Sequence, residues 1–222
     1  MIIDELEYYL KPTYFCDCDN KKITNFVGGI TDNCKSDKER LITLFYYIRN
    51  HYKYAFGNWQ LKASQFISKK SGMCTNKANL LVACLRNIKI PAGFKVIRIN
   101  ARNVFGVFTS LNFLKNKIST NSIHMYVGFY LNKKWVFVDP SLDDLLLNGI
   151  SKYGYKNQFL NNWDGKSDYV NFIPQKEIIK DVGFFHNIDS YHLKKRITAK
   201  FLFNFFSNLY MNYYRIRGYL NI

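Results

Sequence analysis

Ser71-Gly72-Met73-Cys74-Thr75-Asn76-Lys77-Ala78 opens a helical pattern, with Ala78, Leu81, Val82, Leu85 and Ile88 recurring on one face. The spacing predicts a helix with Cys74 in its first turn and the apolar face turned inward. A thiol there differs from an ordinary core cysteine. Unpaired backbone N–H groups and the positive end of the helix dipole stabilise the thiolate, which is the nucleophilic form. Such a nucleophile needs a base to take its proton and an acid to hold that base in the right tautomer.

Both partners are found downstream. Residues 124 to 139 read as a hairpin in which Met125, Val127, Phe129 and Leu131 alternate with Tyr126, Gly128 and Tyr130, followed by Trp135-Val136-Phe137-Val138-Asp139. With Asn132-Lys133 as a two-residue turn, Leu131 faces Lys134 and Tyr126 faces Asp139. Val136 and Val138 then join the apolar face. His124 and Asp139 become diagonal neighbours on the other, roughly 7–8 Å apart at the backbone. A slip of one residue breaks both patterns together, so the register that builds a core also builds the His/Asp pair.

Gly72-Met73-Cys74-Thr75-Asn76-Lys77-Ala78-Asn79-Leu80-Leu81, Ile90-Pro91-Ala92, His124-Met125-Tyr126-Val127 and Trp135-Val136-Phe137-Val138-Asp139-Pro140 together resemble the bacterial transglutaminase-like superfamily, whose enzymes are similar to papain in their chemistry. The resemblance covers roughly residues 37 to 185. It implies an α+β fold with a papain-like core, the nucleophile at a helix N-terminus packed on an antiparallel sheet that carries the His and the Asp. It assigns Cys74 as nucleophile, His124 as general base and acid, and Asp139 as the group orienting His124. The superfamily includes cross-linking acyltransferases, peptidases, amide-forming biosynthetic enzymes and inactive binding relatives, so the resemblance leaves the outcome of the reaction open.

At 222 residues and 48% hydrophobic content the chain can bury a core, and its length suits one domain. Residues 1–36, with Gly28-Gly29 as a turn, read as an N-terminal arm; residues 37–185 form the catalytic core and 186–222 a helical extension. Ser36-Asp37-Lys38-Glu39 has the form of a capping box, and Leu41, Leu44, Phe45 and Ile48 follow at helical spacing to about Asn50. Phe94 to Ile99 reads as a strand, and 100–122 as a less regular stretch placed to shape substrate access. The N-terminus carries acidic residues where a signal peptide has basic ones. Five cysteines without a disulfide framework fit a reducing compartment, so the expected location is cytoplasmic.

From Tyr191 onward the pattern is helical again. Leu193, Ile197, Phe201, Phe205 and Leu209 form a stripe, with Lys194, Lys195, Arg196, Lys200, Arg215 and Arg217 around it. The uncharged run 201–214 is too short to span a bilayer, which takes ~20 apolar residues. Two readings stay open, a helix that caps its own core and one that meets a partner or membrane surface.

For the oxyanion formed on attack, the backbone N–H of Cys74 is the first candidate donor, and Trp59 and Gln60 are candidates for the second. Asp164 and Asp168, in a turn-rich segment from Asn162, are candidates for attracting an amine acceptor, against the alternative of a solvated turn. Cys16, Cys18 and Cys34 lack a fourth ligand at recognisable spacing, so no metal and no cofactor is expected. His51, His186 and His192 have no hairpin partner comparable to Asp139. The net charge of +16 asks for an acidic partner. The basic residues are dispersed and no nucleic-acid motif accompanies them, which favours an acyl or peptidyl carrier protein over nucleic acid.

The reading that follows is cysteine-dependent acyl transfer through an acyl-enzyme thioester, passing an acyl group from a thioester or amide donor to an amine. The alternatives are a cysteine peptidase or amidase, and a catalytically silent binding module on the same fold.

Overall fold

The computed structural model of the chain describes residues 2–106, 115–151, 163–170, 173–194 and 201–220. At its centre lies a helix, α5 (Cys74–Asn87), preceded by α1 (Ile2–Tyr8), α2 (Lys21–Thr31), α3 (Asp37–His51) and the short α4 (Ala63–Phe66). Every residue of α5 from Cys74 to Arg86 is buried. Its apolar periodicity therefore understates its burial, because helices α2, α3 and α4 cover the sides that the sheet leaves free. The buried cations of α5 are satisfied by carbonyls: Lys77 Nζ donates to Arg49 O and Ser141 O, both at 2.8 Å, and Arg86 Nε to Ala92 O at 3.0 Å.

The sheet is four-stranded and antiparallel, in the order β5-β4-β3-β6, with β3 Ala92–Ile99, β4 Ser122–Leu131, β5 Lys134–Val138 and β6 Ile178–Phe185. A separate parallel pair joins β1 (Lys53–Tyr54) to β2 (Ser71–Gly72), just before α5. The β4–β5 register runs from Leu131 opposite Lys134 to Val127 opposite Val138, as the hairpin pattern predicts. Asn132 and Lys133 both adopt positive φ, 52° and 64°, which the two-residue turn requires and which asparagine tolerates. Met125, Val127, Phe129, Val136 and Val138 are all at most 2% exposed and share the main core with α5.

Two expectations change. Gly28 and Gly29 are not a turn but lie inside α2, where Ile23, Val27 and Thr31 are buried at a spacing of four. Burying that face outweighs the ~1 kcal/mol each glycine costs a helix. The stretch expected to be an arm is thus partly core, with Cys16 and Ile23 fully buried. Half of the expected capping box is made: Ser36 Oγ accepts from Glu39 N, but the Glu39 carboxylate accepts from Lys35 N, at 2.7 Å, one residue before the N-cap.

Between β3 and β4 lies the short α6 (Ala101–Phe105), and after the hairpin come α7 (Asp144–Ser151), α8 (Asp189–Lys194) and α9 (Phe201–Leu220). The C-terminal stripe does not face the core where it is described. Phe205 and Leu209 are 55% and 56% exposed, while α9 buries Met211, Tyr214 and Arg215 instead. Lys195, Arg196, Ile197 and Lys200 lie outside the described residues, as does 107–114 within the irregular stretch. No helix among the described residues is long and apolar enough to cross a membrane. The reason α9 turns this face inward is its partner: α7 and α9 approach closely at Gly149 and Gly218, where a Cβ would run into the backbone carbonyls of Tyr214 and Leu145. Alanine is the better helix former by ~1 kcal/mol. Gly149→Ala and Gly218→Ala are nonetheless expected to lower stability by about 1–3 kcal/mol in chemical denaturation, with faster amide exchange along α9. A raised or unchanged midpoint would show that the helices do not meet there.

Candidate active site

Cys74 is the first residue of α5, and the residue before it, Met73, supplies no capping side chain. Its own N–H is instead taken by Asn76 Oδ1 at 3.0 Å, so a side chain from inside the first turn reaches back to hold the entry to the helix. The first N–H groups of a helix lack intrahelical partners, and its N-terminus favours negative charge, so Cys74 stands where a thiolate is stabilised. Asn76 also donates to Trp59 O at 3.1 Å, which fixes this turn against the preceding loop.

His124, on β4, lies opposite Ile97 of β3 and is 1% exposed. Its Nε2 meets Asp139 Oδ2 at 2.7 Å, so the diagonal pair predicted from the register is made by the side chains. Cys74 is the other polar neighbour that acts on the ring. With Nε2 given to Asp139, Nδ1 is the nitrogen left for the thiol. Nδ1 carries no completed hydrogen bond among the described residues, as is common where such contacts tighten only when substrate binds. Burial opposes charge on His124, but the Asp139 carboxylate and the Cys74 sulfur outweigh it together and push its pKa up to about 10. Asp139 is affected in the converse way: burial raises its pKa, and His124 with Ser141 brings it below the ordinary carboxylate value.

A second set of residues holds this pair, and sequence reasoning did not single them out. Ser141 donates to Asp139 Oδ1 through both its backbone N–H, at 2.9 Å, and its hydroxyl. The Asp139 N–H donates to Tyr169 O at 2.9 Å, and Arg49 Nη1 donates to the Tyr169 hydroxyl. Lys77, one turn beyond Cys74, grips Ser141 O and so ties the loop carrying Asp139 to the helix carrying the thiol. Complete burial brings the Lys77 pKa down to about 7. The sequence signal for Lys77 was a lone cation inside an apolar helix run. Arg215 of α9 spans Asp143 and Tyr54 O, and nothing short of the tertiary fold brings positions 54, 143 and 215 together.

Cys74 is 4% exposed and reaches solvent through a cavity of about 290 Å³. Tyr54, Phe56, Phe105 and Phe203 wall it on one side. Burial, with Cys74 and Asp139 nearby, keeps the Tyr54 phenol protonated far past its usual range. A larger cleft of about 760 Å³ between α2 and α4 contains none of Cys74, His124 and Asp139, and no cysteine or histidine is among its described lining residues.

The remaining candidates lie elsewhere. Trp59 and Gln60 are not among the described residues lining the Cys74 cavity. The Gln60 amide donates to His192 O, and the Trp59 ring packs on His192 at 4.8 Å with its N–H buried. Asp164 accepts from Lys166 N, Ser167 N and the Ser167 hydroxyl, which hold its pKa down at about 2, and Asp168 accepts from Phe137 N at the edge of β5. Both carboxylates are spent on turns and strand edge, and neither lines the cavity; Asn162 lies outside the described residues. His51 stacks on Tyr47, and His186 and His192 pack among aromatic rings. Among the described residues no group of three or more His, Cys, Asp or Glu side chains could hold a metal ion.

Comparison with known proteins bears on the family. Residues 24–140, more than half of the chain, match the model of the transglutaminase-like superfamily. No curated protein matches the chain. Among solved structures, it is similar to a Cytophaga hutchinsonii protein provisionally described as a cysteine protease, with a TM-score of 0.55 and 15% identity over 85% of this chain. The match covers 50% of that protein, so the chain spans about half its length, and the likeness is one of fold. The family match includes the helix that Cys74 opens, the strand carrying His124 and the end of the hairpin at Asp139, and the chain belongs to the transglutaminase-like superfamily.

Proposed function

We propose that the chain is a cysteine acyltransferase that passes an acyl group from a thioester or amide donor to an amine, with Cys74 as nucleophile, His124 as general base and acid, and Asp139 orienting His124. The observation that carries the proposal is the His124–Asp139 contact of 2.7 Å on a ring whose other polar neighbour is Cys74. His124 takes the thiol proton and the sulfur attacks the donor carbonyl. The C–S or C–N bond to the leaving group breaks, and the imidazolium returns the proton to the departing thiol or amine. An acyl thioester on Cys74 remains. An amine then attacks it, His124 takes the amine proton, and the restored Cys74 thiol leaves. The Cys74 N–H, first of the unpaired donors of α5, is the proposed partner of the oxyanion.

Aminolysis is favoured over hydrolysis where a bound amine fills the small cavity over Cys74 and displaces water from the acyl-enzyme; Cys74 and His124 are at most 4% exposed. The strongly basic chain suits an acidic carrier of the acyl donor.

Cys16, Cys18 and Cys84 are held as thiols by burial, Cys16 with a pKa near 12. Iodoacetamide at pH 7 is therefore expected to modify Cys74 ahead of those three, and to lose that selectivity in His124→Ala. Uniform or absent labelling would favour a silent binding module. Incubation of the protein with an acyl thioester, with and without a diamine, should give the amide by mass spectrometry when the amine is present. Free acid as the sole product in both would mark a hydrolase. Asp139→Asn keeps an oxygen for Ser141 but removes the carboxylate that raises His124. Turnover is expected to fall by roughly 10²–10⁴-fold. The alkaline limb of the pH–rate profile, set by loss of the imidazolium at about 10, should move to lower pH. An unmoved limb would remove Asp139 from the mechanism.

A further inference from the structure

We infer that the cavity over Cys74 selects a donor whose acyl group carries an aromatic ring and a negative charge, a substrate class that rests on the acyl-enzyme reading above. The wall that faces the thiol is built of rings in contact. Tyr54 and Phe105 stack with centroids 5.7 Å apart and planes 11° apart, Phe56 meets Phe105 edge-on at 6.3 Å, and Phe203 joins Phe56 at 5.3 Å. Rings set at these separations and tilts present both faces and edges, the two geometries an added ring prefers.

The wall is also fixed in place. Asn208 of α9 both donates to Phe56 O, at 3.0 Å, and accepts from Phe56 N, at 2.8 Å, closing a two-bond bridge between the helix and the loop. Arg215 donates to Tyr54 O at 2.6 Å, and Asp143 accepts from Tyr54 N at 3.1 Å. Phe203 therefore reaches the cavity from a helix that is pinned to the other wall residues. A preformed apolar wall binds an apolar group without first having to be ordered.

Size and charge narrow the class. At about 290 Å³ the cavity is at the low end of small-molecule sites, ~300–1,000 Å³, which suits one ring and a short linker rather than a long acyl chain. Lys117 is the one charged side chain among the described lining residues, and no carboxylate accompanies it there. A cationic group on the donor would meet repulsion, whereas an anionic one meets Lys117.

The test uses N-acetylcysteamine thioesters of acetic, hexanoic, phenylacetic and 4-carboxyphenylacetic acids with the full chain. In each case the Cys74 sulfur displaces N-acetylcysteamine, which leaves as the thiol with the proton held by His124, and the adduct on Cys74 is read by intact mass. The expected kcat/KM for phenylacetyl exceeds that for acetyl and hexanoyl by at least about tenfold, and 4-carboxyphenylacetyl exceeds phenylacetyl. Phe203→Ala should bring the phenylacetyl-to-acetyl ratio towards one, and Lys117→Met should do the same for the carboxylated-to-neutral ratio. Ratios do not depend on how much of a variant is folded. Equal rates for acetyl and phenylacetyl, or a faster hexanoyl donor, would overturn the aromatic class while leaving the acyl-enzyme intact. A carboxylated donor no better than the neutral one would overturn the role of Lys117. Absence of any adduct from all four donors would instead overturn the acyl-enzyme reading itself.

Discussion

A carboxylate taken out of water is the constraint around which this protein is arranged. Moving Asp139 into the interior costs several kcal/mol, and the structure offsets that cost only by surrounding it with donors. His124 takes one oxygen, and the Ser141 backbone and hydroxyl take the other. Each of these depends on something further away. Ser141 is held by Lys77, the Asp139 backbone by Tyr169, and Tyr169 by Arg49, so α3, α5 and the end of the hairpin share one hydrogen-bonded unit. The geometry of the proposed site is a consequence of satisfying a buried charge.

The same unit explains why Lys77 is tolerated at the centre of the fold. A fully buried ammonium is disfavoured, and burial lowers its pKa to about 7. Two carbonyls at 2.8 Å meet it, one from the helix in front and one from the loop behind. The fixed distance between Cys74 and Asp139 follows from Lys77 lying one turn below the thiol on the same rigid helix.

Much of the core was legible because local rules and burial agreed. The hairpin register could be read since its side-chain period is two and one face had to be apolar; any slip would have exposed Val127, Phe129 and Val136. The start of α5 was legible because Cys74 opens an apolar period of helical spacing. Sequence is a poorer guide where a residue's surroundings come from distant chain. Gly28 and Gly29 read as a turn because glycine favours turns in isolation, and only the neighbours of Ile23 and Val27 make a helix there worthwhile. Gln60 and Trp59 were drawn toward the site by sequence proximity, whereas His192, far along the chain, provides their contacts. The α9 stripe was read from hydrophobic period alone, and the close approach at Gly149 and Gly218 selects a different face.

Sequence alone decided the family, the helix that Cys74 opens, the strand pair and their register, because each follows from short-range periodicity or from residues within a single hairpin. Tertiary structure alone decided how Asp139 is satisfied, which face of α9 is buried, and the ring wall that brings positions 54, 56, 105 and 203 together. The physical reason is separation along the chain. A period of two or 3.6 is written locally, but a buried charge or a cavity wall is completed by groups whose meeting depends on the packing of the whole fold.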